Sequence, residues 1–477
     1  MMQRFAPAPT HQYDVAVIGA GPAGGCAAAT LAAAGWRVAL IERTALPRHR
    51  VCGEFLSPEA QATLRHLGLQ DELAALKPRA LTAATLTSRR GATLEMALPG
   101  VAWGLSRFAL DAALAQAAVA RGAELLAETT VTRVHHDAQG ATLLLRRSDG
   151  EQHLRARAVL MAGGRRSTPK LPPAAPTRPR EELFVGLKSH VTGLTMPDRV
   201  ELFLFAGGYV GVNPVETGAA NVCLLVSYAQ FARAGRTLPA MFAAIAAQNA
   251  AFAHRMQEAH LLAETFCTVA AVETHRPAAP WVEMACLGDT ATMIPPLCGD
   301  GMAMALRSAE LCAPLAHDYL RGACSLSAWR DRYCECWQAE FTGRLRLGLR
   351  QPASGAQAGR HRPGDAARSA RRGTGMETAV AAGQIGHAGI LHKLKLRQKR
   401  LYRARNKRQQ LSKTNCPGGH GARVLTYCDG CGRSRAGLAR GTLPTLTKHS
   451  ACSCSPRPNS VRRGAEASAL PLVSAAP

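Results

Sequence analysis

"YDVAVIGAGPAGGCAAATLAAAGWRVALIER", residues 13–43, decides the fold. Val15, Ala16, Val17 and Ile18 make an apolar run of strand length. Gly19, Gly21 and Gly24 then stand in G-x-G-x-x-G spacing, with Pro22 and Ala23 inside it. Small residues run on to Gly35, as suits a helix packed close on a sheet, and "WRVALIE" supplies a second strand ending in Glu42. Each part has a physical task. Gly19 makes the tight turn, Gly21 lets backbone N–H groups approach a pyrophosphate, and Gly24 permits close helix–strand packing. The helix N-terminus favours the negative charge. Glu42 is placed to accept hydrogen bonds from a ribose hydroxyl and disfavours a 2′-phosphate, which leaves FAD and NAD. An alanine-rich βαβ unit that binds nothing is the alternative, and strand, helix and terminal acid together argue against it.

Four further stretches follow in order. "RHRVCGEFLSPEA" (48–60) comes directly after the second strand, and "LSRFALDAALAQAAVARGAELL" (105–126) reads as a helix, a glycine turn and a strand. "AVLMAGGRRS" (158–167) is a strand ending in glycines, and "LGDTATMIPPLCGDGMAMALRSAE" (287–310) is a Gly/Pro-rich loop running into a helix. From about residue 13 to about residue 345 this resembles the FAD-dependent oxidoreductases of the geranylgeranyl-reductase and aromatic-hydroxylase superfamily.

The resemblance implies FAD and two clamps on it. The first loop, with Arg43, Arg48 and Arg50 nearby, would hold the adenosine half. Gly288 and Asp289 would hold the ribityl chain, and the Pro296, Gly299 and Gly301 turn would face the flavin ring. The helix dipole there would stabilise charge on reduced flavin. Arg107 would contact the phosphate or ribose region; alternatively it makes an i,i+4 ion pair with Asp111 on a solvated face. Cys52 and Gly53 would lie at the flavin face, with Cys52 a proton donor or a small buried hydrophobe. Glu54, Tyr209 and His275 are further acid–base candidates. Cys298 has no assignment.

Residues 183–228 hold four short strand-like runs separated by turn residues, which suggests an antiparallel sheet roofing the flavin. The resemblance places a Y-x-W-x-F-P signature where this chain has Tyr209, Gly211, Asn213 and Pro214. Glycine and asparagine for the aromatic pair suggest added volume and a polar group for the substrate. Ala162, Gly163 and Gly164 stand where aromatic hydroxylases carry Ala-Asp-Gly, which counts against pyridine-nucleotide-driven hydroxylation. The halogenase Trp-x-Trp-x-Ile-Pro signature is absent, and so is a second G-x-G-x-x-G. NAD(P)H docking transiently, or a partner protein, is left as electron donor.

The net charge of +25 is uneven. Residues 351–477 carry 23 Lys/Arg against 4 Asp/Glu, whereas residues 1–350 carry 35 against 29. Lys393 to Arg408 hold nine basic residues in sixteen, a pattern open to a nucleic-acid or anionic-membrane reading. A zinc reading of Cys428 and Cys431 with Cys416, Cys452 and Cys454 lacks regular spacing. An acid-poor segment rich in Arg, Ala, Gly, Pro and Ser is what a GC-rich gene gives in a wrong frame. Residues 351–477 therefore read as a basic low-order tail, frame-shifted or spurious. No h-region, no membrane-length apolar run and 15 cysteines without disulfide spacing point to a cytoplasmic protein with reduced thiols.

The expected fold is α/β: a Rossmann-like FAD-binding domain with a parallel sheet (1–180 and 281–350), interrupted by an antiparallel substrate-binding sheet (181–280). The expected function is FAD-dependent reduction of a C=C bond in a hydrophobic small molecule. The alternatives are hydroxylation of an aromatic or polyketide-like substrate, and nucleic-acid binding through the tail. No nucleic acid is expected for the folded part; peripheral membrane contact stays open.

Overall fold

A computed structural model describes residues 12–165, 183–274 and 276–349. His275 and the whole 351–477 segment, with their sequence readings, lie outside the described residues.

The first sheet has a parallel centre. β1 (Tyr13–Ile18) lies between β2 (Val38–Ile41) and β9 (Gly150–Met161), and β6 (Glu124–Leu126) and β16 (Met284–Cys286) extend the two sides, all parallel. β15 (Trp281–Val282) closes one edge, and β7 (Thr130–Asp137) with β8 (Gly140–Arg147) forms an antiparallel meander on β9. β1 and β2 read as unbroken apolar runs because helices bury both faces of a parallel centre.

α1 (Pro22–Ala33) buries ten of its twelve residues, so it has almost no solvent face. Its small side chains make this approach feasible. A Cβ on Gly25 would lie 2.8 Å from Leu114 of α4 (Arg107–Ala120). α2 (Pro58–His66) and α3 (Gln70–Ala74) follow the loop after β2. α8 (Gly301–Leu320) packs against α1, and α9 (Leu326–Leu349) against α8. α9 is held by one stripe: Trp329, Tyr333, Trp337 and Phe341, at i+4 spacing, are each 3% exposed or less. Burying each aromatic contributes on the order of 2–3 kcal/mol.

The second sheet runs β14-β10-β13-β12-β11-β4-β5-β3. The expected strands are present as β10 (Phe184–Thr192), β11 (Arg199–Phe205), β12 (Gly208–Pro214) and β13 (Ala220–Ser227). β14 (His260–Val272) is the edge. The sheet also takes in β3 (Phe55–Leu56), β4 (Arg79–Thr87) and β5 (Thr93–Gly104) from within the 1–180 span. β4 pairs with β11 in parallel, and the other pairings are antiparallel.

The two faces of this sheet differ. Val185, Leu187, Val210, Val212, Val222, Leu224 and Val226 form a core with Met241 and Ile245 of α6 (Leu238–Ala246) and Phe252 of α7 (Ala250–Arg255). α5 (Tyr228–Arg233) follows β13 directly. Alternation turns the intervening residues to the other face. There Cys223 stands opposite both Lys188 and Gly211, and Asn221 opposite both His190 and Asn213. This polar row carries part of the site. No helix among the described residues is long and apolar enough to cross a membrane.

Candidate active site

The glycine loop is a tight cradle. Gly19 has φ +104°, and a Cβ there would lie 2.5 Å from the Ala162 carbonyl oxygen. A Cβ on Gly24 would lie 1.8 Å from the Gly19 oxygen. Gly21 N-caps α1 with no side-chain hydrogen bond, and Pro22 takes the first helical turn, where no N–H is needed. The first N–H groups of α1, including that of Ala23, lack intrahelical partners and point at the loop.

Glu42 directly follows β2 and is 4% exposed. Its carboxylate accepts from Ala20 N at 3.0 Å, Thr44 Oγ1 at 3.0 Å and Arg48 Nη2 at 2.9 Å, with Arg50 Nη2 at 3.7 Å. Burial alone would raise its pKa; Arg48, the Ala20 N–H and Arg50 outweigh it and hold the carboxyl below its usual range. Burial, then repulsion from Arg48, pulls Arg50 down to about 10. Arg43 is exposed at the rim.

The Gly-Asp loop lies against this cradle. A Cβ on Gly288 would meet Ala305 of α8 at 3.2 Å and Ala23 of α1 at 3.4 Å. Thr290 Oγ1 accepts from Gly164 N at 3.0 Å, so the loop is tied to the end of β9. Arg276, which the sequence reading passes over, donates to the Asp289, Thr290 and Arg165 carbonyls at 2.9, 2.7 and 3.1 Å. The Asp289 carboxylate makes no hydrogen bond among the described residues, and burial raises its pKa against the pull of Arg107, Arg165 and Arg276. Pro296–Cys298 form a 3-10 turn, Gly299 turns left-handed at φ +72°, and α8 starts at Gly301 with no side-chain cap.

Between the clamps lies the Cys52 segment. Cys52 Sγ accepts from Glu54 N at 3.3 Å, and Asn221 Nδ2 donates to the Cys52 carbonyl at 3.2 Å. Burial raises the thiol pKa; the adjacent Arg107 guanidinium opposes it. Arg107 heads α4 and grips Asp111 through two 2.7 Å hydrogen bonds. Its guanidinium also overlies Gly21, where a Cβ would lie 3.4 Å from Nη2. The i,i+4 pair is thus real, but it is not on a solvated face, because Asp111 is 0% exposed. Tyr209 packs against Phe184, Leu225 and Val272. Burial pushes its hydroxyl well up, and Cys223, Cys298 and Cys52 add to the shift, which places Cys298 beside the same site.

Two substrate expectations need correction. A Cβ at Gly211 would meet Leu202 at 3.3 Å, so Leu202 narrows the space that glycine leaves there. Asn213 is 2% exposed and directs its amide to the Glu54 and Pro214 carbonyls. Leu202 thus borders the volume at Gly211, and the Asn213 amide nitrogen is turned to backbone. Lys188 and His190 leave one signal in the sequence, "KSH" interrupting an apolar strand.

The donor set fits an extended ligand with an anionic middle. Among the described residues, Arg48 Nε and Nη1 are buried without hydrogen-bond partners beside the cradle. α1 and α8 begin with unpaired N–H groups. Gly53 and Gly301 border open space, since a Cβ on either would meet nothing within 4 Å. Fold and site together define a two-sheet nucleotide-cofactor-binding protein.

The chain belongs to the family described as FAD binding domain, whose model matches residues 12–327. It is similar to the menaquinone reductase of Mycobacterium tuberculosis, 36% identical over 160 residues, which are 32% of this chain and 38% of that protein. It is also similar to digeranylgeranylglycerophospholipid reductase 2 of Methanopyrus kandleri, 27% identical over 369 residues, 71% of this chain and 85% of that one. Among solved structures it shares its fold with a flavoprotein/dehydrogenase of Cytophaga hutchinsonii, at TM-score 0.60 and 21% identity, covering 71% of this chain and 85% of that one. The chain therefore spans well under half of the menaquinone reductase it matches. The chain is thus an FAD-binding protein of that family.

Proposed function

We propose that this flavoprotein reduces a C=C bond in a hydrophobic small molecule, with Cys52 supplying the proton. The observation that carries the reading is the Cys52 thiol, kept protonated by burial and set beside the Arg107 guanidinium. Bound FAD, once reduced, supplies the hydride. The residues of the chain do the rest. The α1 N-terminus, Arg48 and Arg107 hold the phosphates; Glu42 takes the ribose; Asp289 takes the ribityl chain; the N–H groups at Gly301 face the ring. The Cys52 thiol gives its proton to the second carbon, and the thiolate left behind is stabilised by Arg107 until solvent restores the proton. Tyr209 and the wall around it exclude water. The named substrates of the two reductase relatives are isoprenoid, which makes a polyprenyl lipid or an isoprenoid quinone the first class to try.

The test uses the full-chain holoprotein, reduced anaerobically by NAD(P)H or dithionite and mixed with such lipids. A product heavier by two hydrogens is expected. Turnover only in air, with one oxygen added, sinks the reading.

A further inference from the structure

The polar row of the second sheet contains a buried cluster outside the flavin machinery. Glu54 and Lys188 are both 0% exposed, with Lys188 Nζ 3.1 Å from Glu54 Oε1. His190 Nε2 lies 2.6 Å from Glu54 Oε2. Lys188 Nζ also lies 3.1 Å from His49 Nδ1, and His49 stacks on the exposed ring of Phe108. The His49, Glu54 and His190 ligand atoms lie within 4.8 Å of one another, and Lys188 Nζ bridges two of them, His49 and Glu54.

Glu54 is the hub. Its Oε1 accepts from Arg107 N at 3.0 Å, and its carbonyl accepts from Leu105 N at 3.1 Å and Asn213 Nδ2 at 3.5 Å. Its own N–H donates to Cys52 Sγ at 3.3 Å. It adopts φ +52°, a left-handed backbone that a non-glycine residue holds only when its surroundings impose it. A buried ion pair is a poor source of stability, because desolvation offsets the attraction; its best-attested use is to fix one arrangement.

We propose that Lys188 and His190 are positioning residues. Through Glu54 they clamp the Cys52–Gly53 segment and the start of α4 onto the second sheet. The sheet that roofs the substrate thereby sets where the Cys52 thiol and Arg107 stand. The inference rests on the reading that Cys52 lies at the flavin face; its test does not need the reaction.

The full-chain holoprotein is alkylated with iodoacetamide, and each cysteine is followed by peptide mass. Cys26 and Cys312, both 0% exposed in the first core, report global opening. Lys188→Met and His190→Phe should each speed Cys52 labelling about tenfold, because a loosened segment opens the thiol to solvent and reagent. Cys26 and Cys312 should stay unlabelled. His190→Gln keeps a donor for Glu54 and should label within about twofold of wild type. If Lys188→Met does not fold, the paired change with Glu54→Gln leaves no unpaired buried charge and takes its place. Unchanged Cys52 labelling, equal acceleration at Cys26 and Cys312, failure of His190→Gln to restore, or a stoichiometric metal in the wild-type holoprotein would each overturn the clamp.

Discussion

Arg107 and Asp111, one helical turn apart, are joined by two 2.7 Å hydrogen bonds, with the carboxylate wholly buried. The pair orients the guanidinium over Gly21 and beside Cys52 and supplies its countercharge. Removing one partner strands the other. Arg107→Met should cost about 3 kcal/mol, because the buried Asp111 loses both short hydrogen bonds and keeps only the looser Arg48 contact at 3.9 Å. Chemical denaturation checks this. Arg107→Lys should recover only part, since an ammonium lacks the two-pronged geometry. A methionine variant as stable as wild type would rule out the buried pair.

The glycine loop has no room for a methyl group at its third glycine. Gly24→Ala would put Cβ at 1.8 Å from the Gly19 oxygen, and backbone must move to relieve it. The loop would then lose its turn, and the protein should purify without yellow colour. Gly35→Ala is the control: it meets nothing within 4 Å, although its φ of +86° costs some stability. Flavin content per chain, read from the absorbance spectrum, separates the two.

Asp289 is poised for a ligand, with no internal donor on its carboxylate and burial raising its pKa. Asp289→Ala should weaken FAD binding about 10- to 100-fold, the loss expected for hydrogen bonds to a charged acceptor. Fluorescence titration of the flavin-stripped protein gives the number. Asp289→Asn should fall between the two, because it keeps an acceptor and loses the charge.

Asp300 heads α8 and is pushed up to about 6, first by burial and then by Glu59, while Arg344 opposes. The shift is upward, so its stability effect has the opposite sign to that of a salt-bridged carboxylate. Above pH 6 the folded state carries a charge it disfavours, and the penalty fades as pH falls toward the unfolded value near 3.8. Asp300→Asn should therefore be more stable than wild type at pH 7.5, by up to about 3 kcal/mol, and the gap should shrink at pH 5. Urea midpoints of both proteins at the two pH values test it. A gap that widens in acid would reverse the assignment.

What the sequence discloses follows contact range. The glycine cradle is legible because Gly19, Gly24 and Glu42 act within one βαβ unit, where spacing alone states the geometry. The Gly-Asp loop is legible only as a motif. Its closeness to the first loop depends on Gly288 wedging between Ala23 and Ala305, a contact that no local pattern announces. β4 and β5 stay hidden for another reason. "RALTAATLT" is half-exposed along most of its length, so no apolar face marks it as part of the second sheet. Lys188 and His190 are hardest to see. Glu54 lies 136 residues before His190, and a Lys or His in a strand looks solvent-facing until its partner is found.

Cys52 and Tyr209 share one site but should fail differently when changed. Cys52→Ala removes the proton donor and disturbs little else: of the two groups its sulfur touches, Glu54 is also held by Lys188 and His190, and Arg107 by Asp111. FAD should stay bound with a near-native spectrum, and turnover should fall about 10²- to 10⁴-fold, the range for loss of a general acid. Cys52→Ser keeps a donor of much higher pKa and should recover little. The Tyr209 hydroxyl makes no hydrogen bond among the described residues, and its ring packs on Leu225. Tyr209→Phe should therefore keep the fold and the flavin and change KM more than kcat. Steady-state kinetics on whichever lipid proves reactive distinguishes these outcomes. A Cys52→Ala protein that turns over at the wild-type rate would move proton donation to another group, with Tyr209 the next to test, since its hydroxyl is neutral at working pH and lies among the same thiols.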